Sequence, residues 1–166
     1  MKLTVSRLKT LAQDNMGSSQ TLSYVKYAEV TQLEAFLLDF SRTLLPSILL
    51  TPDGTEESWE STQRKVATHH VTATLMMEYN QRELGIIGDP SRPSGQGILD
   101  FVNDFLTVFR GTRLSVGGVN YLHKPLDIVK VKYFRGDMSD NVYLLVATID
   151  ILCVRLFTQA SLPGDI

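Results

Sequence analysis

From Val142 to Phe157 the chain reads VYLLVATIDILCVRLF, sixteen residues that are mostly β-branched or aliphatic, with Asp150 and Arg155 the only charged side chains. Such a run favours an extended strand. At a rise of roughly 3.3 Å per residue it would reach about 50 Å, more than a small domain needs to cross its own sheet. Either a bulge breaks the strand, or part of it projects to a neighbour. Aliphatic residues occupy both of its phases, which makes Val154 and Leu156 candidate subunit-interface residues. Asp150 shares a face with Thr148, opposite Ile149 and Ile151. An ion pair across the sheet or across a subunit boundary suits it better than a catalytic role.

Three more segments read as strands. Residues 47–51 form a short apolar run between Pro46 and Pro52-Asp53-Gly54. From Ala67 to Tyr79 the odd positions are mostly apolar, and only Met76 breaks the alternation. Residues 126–134 set Val129, Val131 and Tyr133 on the expected core face against Lys130 and Lys132. The polar stretch 53–63 reads as a surface loop anchored by Trp59. The turn-rich stretches 115–120 and 136–141 read as connections, the second as a hairpin.

Helical spacing appears over 4–14, with Val5, Leu8, Leu11 and Ala12 on one side, and over about 32–43, opened by the capping pattern Thr31-Gln32-Leu33-Glu34. The spacing from Ile98 to Arg110 is the widest apolar stripe in the chain, and Gly111 suits the left-handed position after a helix. Phe101 and Val108 lie outside the centre of that stripe, which marks them as candidates for packing on a neighbouring subunit. The segment 20–30 lacks a clean period and leaves strand and ordered loop both open. The Gly- and Pro-rich connection 85–97 is expected to be mobile in a free subunit and ordered in an assembly.

These elements define an α+β chain: a small, mainly antiparallel four-stranded sheet covered by one long helix, with N-terminal helices. Its 166 residues suit a single domain, with 1–45 as a helical extension, 46–158 as the α+β core and 159–166 as a tail. With 43% hydrophobic and 20% charged residues, a folded core needs no disulfide framework.

The net charge of −2 creates no global attraction for nucleic acid or anionic membrane. No window approaches the ~20 apolar residues of a membrane span, and the first residues lack a signal peptide's apolar stretch, so the chain is expected in the cytosol where it is made. Cys153, inside the most apolar run, reads as a buried small hydrophobe. His69 and His70 are adjacent on a strand and point to opposite faces, which disfavours a metal site. The 85–97 segment lacks the spacing of a phosphate loop. Glu56-Glu57 fall in a loop, and Asp100 and Asp104 sit near a helix N-terminus, where charge favours the helix dipole. No cofactor, metal or catalytic set is assembled by these residues. Between Arg110 and Arg135 a basic bias accompanies Tyr121, Tyr133 and Phe134. It reads as a solvated face, or as a surface making weak nucleic-acid contact.

Taken in order, the Leu-Leu-Pro-Ser-Ile-Leu-Leu-Thr-Pro strand at 44–52, the strand 71–80, the helix 97–110 and the strand pair 126–134 and 142–157 resemble the tail-terminator (tail-completion) proteins of long-tailed bacteriophages. The likeness lies in layout and hydrophobic texture over residues 40–158. It implies a structural, non-enzymatic subunit of a hexameric ring in the virion tail or neck, assembled in the host cytoplasm. The ring would cap the tail tube, halt its polymerisation and present the head-joining surface. Its implied partners are other copies of itself, the tail tube protein and a head-tail connector or neck protein, with DNA at most weakly held in the lumen and no membrane. The segment 16–45 is longer and more helical than that layout. A head-completion or neck adaptor shares the same ring logic. A ferredoxin-like regulatory domain is the reading from another class, with its small ligand near the 85–97 loop. In a ring, Lys130 and Lys132 would face the DNA-carrying lumen or pair with carboxylates such as Asp127 or Asp150, the second being the more common fate of charges on strand edges.

Overall fold

The computed structural model describes residues 1–38, 42–79, 86–88, 96–116, 119–139 and 142–158. Most of the 85–97 connection, the tip of the 136–141 turn and the 159–166 tail lie outside the described residues. In chain order the elements are α1 (Lys2–Asp14), β1 (Tyr27–Val30), α2 (Leu33–Leu38), a 3-10 turn (Arg42–Leu44), β2 (Ser47–Ser61), β3 (Arg64–Tyr79), α3 (Ile98–Phe109), β4 (Ser115–Val116), β5 (Val119–Asn120), β6 (Asp127–Ser139) and β7 (Val142–Thr158).

The fold is α+β, and its main sheet has five strands in the order β1-β2-β3-β7-β6. The expected four-stranded sheet thus gains a strand. Residues 27–30, which lack a clean period, pair parallel to β2 from Tyr27↔Ser47 to Val30↔Leu50. A strand that lies at the edge and pairs along four residues needs little sequence pattern of its own, because its partner supplies the register. β4 and β5 make a separate two-stranded ribbon.

The segment 53–63 is not a loop. β2 continues through it in antiparallel pairing with β3 to Ser61↔Arg64, with irregularities at Pro52/Gly54 and Trp59/Ser61. Nor is Trp59 an anchor, since it is 61% exposed. The polar composition of 53–61 misled because neither face of this stretch is covered, so no apolar alternation is required of it.

The helix layer explains which face is buried. Val5, Leu8 and Ala12 of α1 and Phe101, Phe105 and Phe109 of α3 pack on Ile48, Leu50, Val71, Ala73, Leu75, Ala147, Ile149 and Ile151. The N-terminal segment therefore builds the main core and is no mere appendage. Phe101 is fully buried, in edge-to-face contact with Tyr24 (centroids 5.5 Å apart, 74° between planes), and Val108 is buried as well. Neither serves as an exposed second edge. The segment between α1 and β1 wraps over α3 and covers the apolar flank that periodicity alone leaves bare. Tyr24 Oη donates to Asp104 Oδ2 at 2.9 Å, fixing that wrap.

On the opposite face a smaller cluster of Phe36, Leu45, Leu49 and Met76 covers one end of the sheet, with α2 as its lid. This second cluster is the reason Met76 departs from the alternation: at that end both faces of β3 are covered. α3 begins tightly. Gly97 N–H donates to Asp100 Oδ2 at 3.1 Å, and a Cβ at position 97 would come within 2.3 Å of the Gly88 amide nitrogen. Gly111, past the other end, takes φ +74°.

Candidate functional site

The face of the sheet opposite α1 and α3 carries a polar stripe. Side chains alternate across a strand, so the pairing register names what shares that face. Thr51, Thr72, Asp150 and Lys130 lie in one row, and Leu49, Thr74, Thr148 and Lys132 in the next. Asp150 and Lys130 stand directly opposite on adjacent strands, the placement that favours an ion pair within the subunit. Lys132 faces Thr148 instead. The Thr72 hydroxyl lies between two carboxylates, bonded to Asp53 and 3.3 Å from Asp150 Oδ1. One hydroxyl proton serves one carboxylate at a time, so this group offers negative charge to whatever approaches.

A depression of about 520 Å³ opens beside this group, lined among others by Asp53, Glu56, His70, Asp150, Leu152 and Val129. His70 Nε2 lies 3.6 Å from Glu56 Oε1, an ion pair only when the imidazole is protonated, and the Glu56 side chain is 83% exposed. Among the described residues no group of three His, Cys, Asp or Glu side chains is placed to hold a metal ion.

Past the polar stripe the sheet runs on beyond its helices. Every residue from Pro52 to Arg64 is exposed, yet β2, β3 and β7 remain paired as far as Arg64↔Thr158. The unusual length of the C-terminal strand is resolved here: β7 pairs with β3 without interruption from Tyr143 to Thr158, and the bulges fall in β2 and β6. Together these strands make a three-stranded arm. Val66, Val154 and Leu156 occupy one of its faces, Val66 directly across from Leu156 and Thr68 across from Val154, and all three apolar side chains are partly exposed. On its other face Lys65 pairs with Glu57 and lies over the Trp59 ring, and the Arg155 guanidinium stacks over Tyr121 and Phe157 at 4.0 and 4.6 Å.

At the root of the arm sits His69, 3% exposed, its Nδ1 2.8 Å from Thr55 Oγ1 and its Nε2 without a protein partner. Burial, reinforced by the Met1 amino group and Arg155, holds its pKa down at about 4 against the opposing pull of Glu57. The imidazole is therefore neutral at pH 7. Cys153, directly across from it, is fully buried, and burial pushes its thiol up to about 12. That thiol is a packing group, since the reactive form is the thiolate.

β6 departs from its expected facing. A bulge between Ile128 and Lys130 turns Val129 outward, 59% exposed, while Val131 is partly buried and Tyr133 is 50% exposed. The core face expected for Val129, Val131 and Tyr133 thus holds for one residue in three. Phe134 is exposed as well. Helix α3 does not extend over this outer strand, so a core-facing phase there meets solvent. Compared with known proteins, the chain matches no family model and no curated protein.

Proposed function

We propose that this chain is a structural assembly subunit that forms a closed ring, and that the ring is the tail terminator of a long-tailed phage. The observation that carries the reading is the three-stranded arm. It extends beyond the helix layer, sets Val66, Val154 and Leu156 on a partly exposed face, and ends in an exposed Trp59. A sheet normally hides at least one face in its own domain. Extending three paired strands into solvent costs the conformational entropy of ordering them without the return from burial. Contact with another subunit supplies that burial.

In this reading the arm and the long strand β7 contact neighbouring subunits, the ring caps the tail tube in the virion, and its other side meets the head-tail connector. The partly or fully exposed Thr72, Thr148 and Lys132 of the polar stripe would suit a wet inner surface that touches DNA weakly. Electron microscopy of the purified protein, with mass measurement in solution, tests the proposal: rings, six-fold for a terminator, are expected. A chain that stays monomeric across the whole accessible concentration range, alone and with tail tubes, would sink it.

A further inference from the structure

We propose that the subunits join head to tail by sheet continuation, the acidic free edge of β2 in one copy pairing antiparallel with the basic outer edge of β6 in the next. This deepens the ring reading and rests on it.

Two edges of the main sheet are open among the described residues. β6 is the terminal strand on one side. On the other, β1 covers β2 only from Ser47 to Leu50, leaving residues 51–61 without a strand on their outer side. Open edges of this length invite pairing with another chain unless they are blunted. The two differ in charge: residues 51–61 hold four carboxylates and no base, whereas β6 holds three cations, Lys130, Lys132 and Arg135, between two carboxylates, Asp127 and Asp137, near its ends.

Charges on a strand matter by face as well as by number, and the faces agree. Glu56 lies in the row of Thr68 and Val154, on the side of the sheet away from α1 and α3. Lys130 and Lys132 lie on that same side, in the rows of Asp150 and Thr148. Trp59 and Tyr133 both point to the helix-covered side, each at least half exposed. When copies stand side by side with their helices on a common side, the Glu56 face of β2 and the Lys130 and Lys132 face of β6 lie on the same side of the continued sheet.

Strand direction agrees too. β2, β3, β7 and β6 alternate in direction, so β6 of one copy meets β2 of the next antiparallel. The free part of β2 lies further along the strand axis than β6, a stagger that inclined strands in a closed ring accommodate. Because the two patches differ, the contact is heterologous, the kind that generates a ring when the rotation between copies closes and a filament when it does not. A two-fold dimer would instead set like charges against each other.

The test uses two charge-reversed proteins, Glu56→Lys with Glu60→Lys, and Lys130→Glu with Lys132→Glu, examined by light-scattering mass and electron microscopy. Each alone is expected to assemble at least tenfold more weakly than the unaltered chain and to run near the 18.6 kDa monomer. Mixed in equal amounts they are expected to regain assembly, as alternating copies restore every junction. Recovery on mixing also shows that neither variant is misfolded. Unaltered assembly by both variants, or a mixture that stays dissociated, overturns the edge pairing while leaving the ring reading intact. If the unaltered chain never assembles, both fall.

Discussion

A buried histidine reports on the root of the arm. His69 keeps a pKa of about 4 where an ordinary histidine titrates near 6.5. As pH falls from 6.5 the unfolded chain takes up a proton while the folded chain resists, so stability present above pH 6.5 is lost on the way to pH 4. The loss is on the order of 2–3 kcal/mol. Melting temperature measured across this window should fall, and His69→Gln should flatten the dependence even if it lowers stability overall by losing the Thr55 contact. A slope unchanged in the variant would assign the titration elsewhere. Gly97 tests a different constraint at the same scale. Its φ of −89° suits any residue, so its need is purely steric: a methyl group would meet Gly88 and Ile86 backbone. Gly97→Ala should destabilise by roughly 2 kcal/mol or more, since fixed backbone has to move. Equal denaturation midpoints for variant and parent would show that the helix start is looser than this geometry.

Helix α3 does not have the exposed second edge its pattern suggests. The wide stripe of α3 is broader than one sheet needs, yet residues 15–26 and α1 take up the excess, so Phe101 is a core residue. Phe101→Ala should cost about 3–5 kcal/mol in urea unfolding of the dilute protein. Val154 sits on the uncovered side of the arm, and Val154→Asp should leave dilute-protein unfolding within about 1 kcal/mol of the parent while reducing self-association measured by sedimentation. Were Val154→Asp to unfold the chain as severely as Phe101→Ala, the arm would belong to the subunit's own core.

At the scale of the whole molecule the main core and the small second cluster lie on opposite sides of the sheet, and both are confined to one end of it. The arm draws on neither. A molecule built this way gains stability when a partner covers the arm, and binding to the folded form alone raises stability by mass action, about 2.7 kcal/mol when free partner stands at a hundred times the dissociation constant. The melting temperature should therefore climb with protein concentration in calorimetry. A concentration-independent transition would mean that nothing covers the arm at those concentrations.

Local pattern alone was enough to identify α1, α3 and the middle of β3, because each repeats with the period of its own backbone against a covered face, and β6 and β7, because their β-branched and aliphatic runs are bounded by turn residues. It offered Asp127 or Asp150 as carboxylate partners for Lys130 and Lys132; the register sets Asp150 opposite Lys130 and Thr148 opposite Lys132. Only tertiary structure decided the rest. β1 borrows its register from β2, the acidic stretch of β2 is held as a strand by β3, and Phe101 is buried by a segment some eighty residues earlier whose Tyr24 reaches Asp104. Neither did periodicity show that Val129 and Tyr133 face solvent, since whether an apolar phase is core or surface depends on what lies over it. Alternation specifies which residues share a face. Which face is covered is settled by elements distant in the chain, and that is information no local window contains.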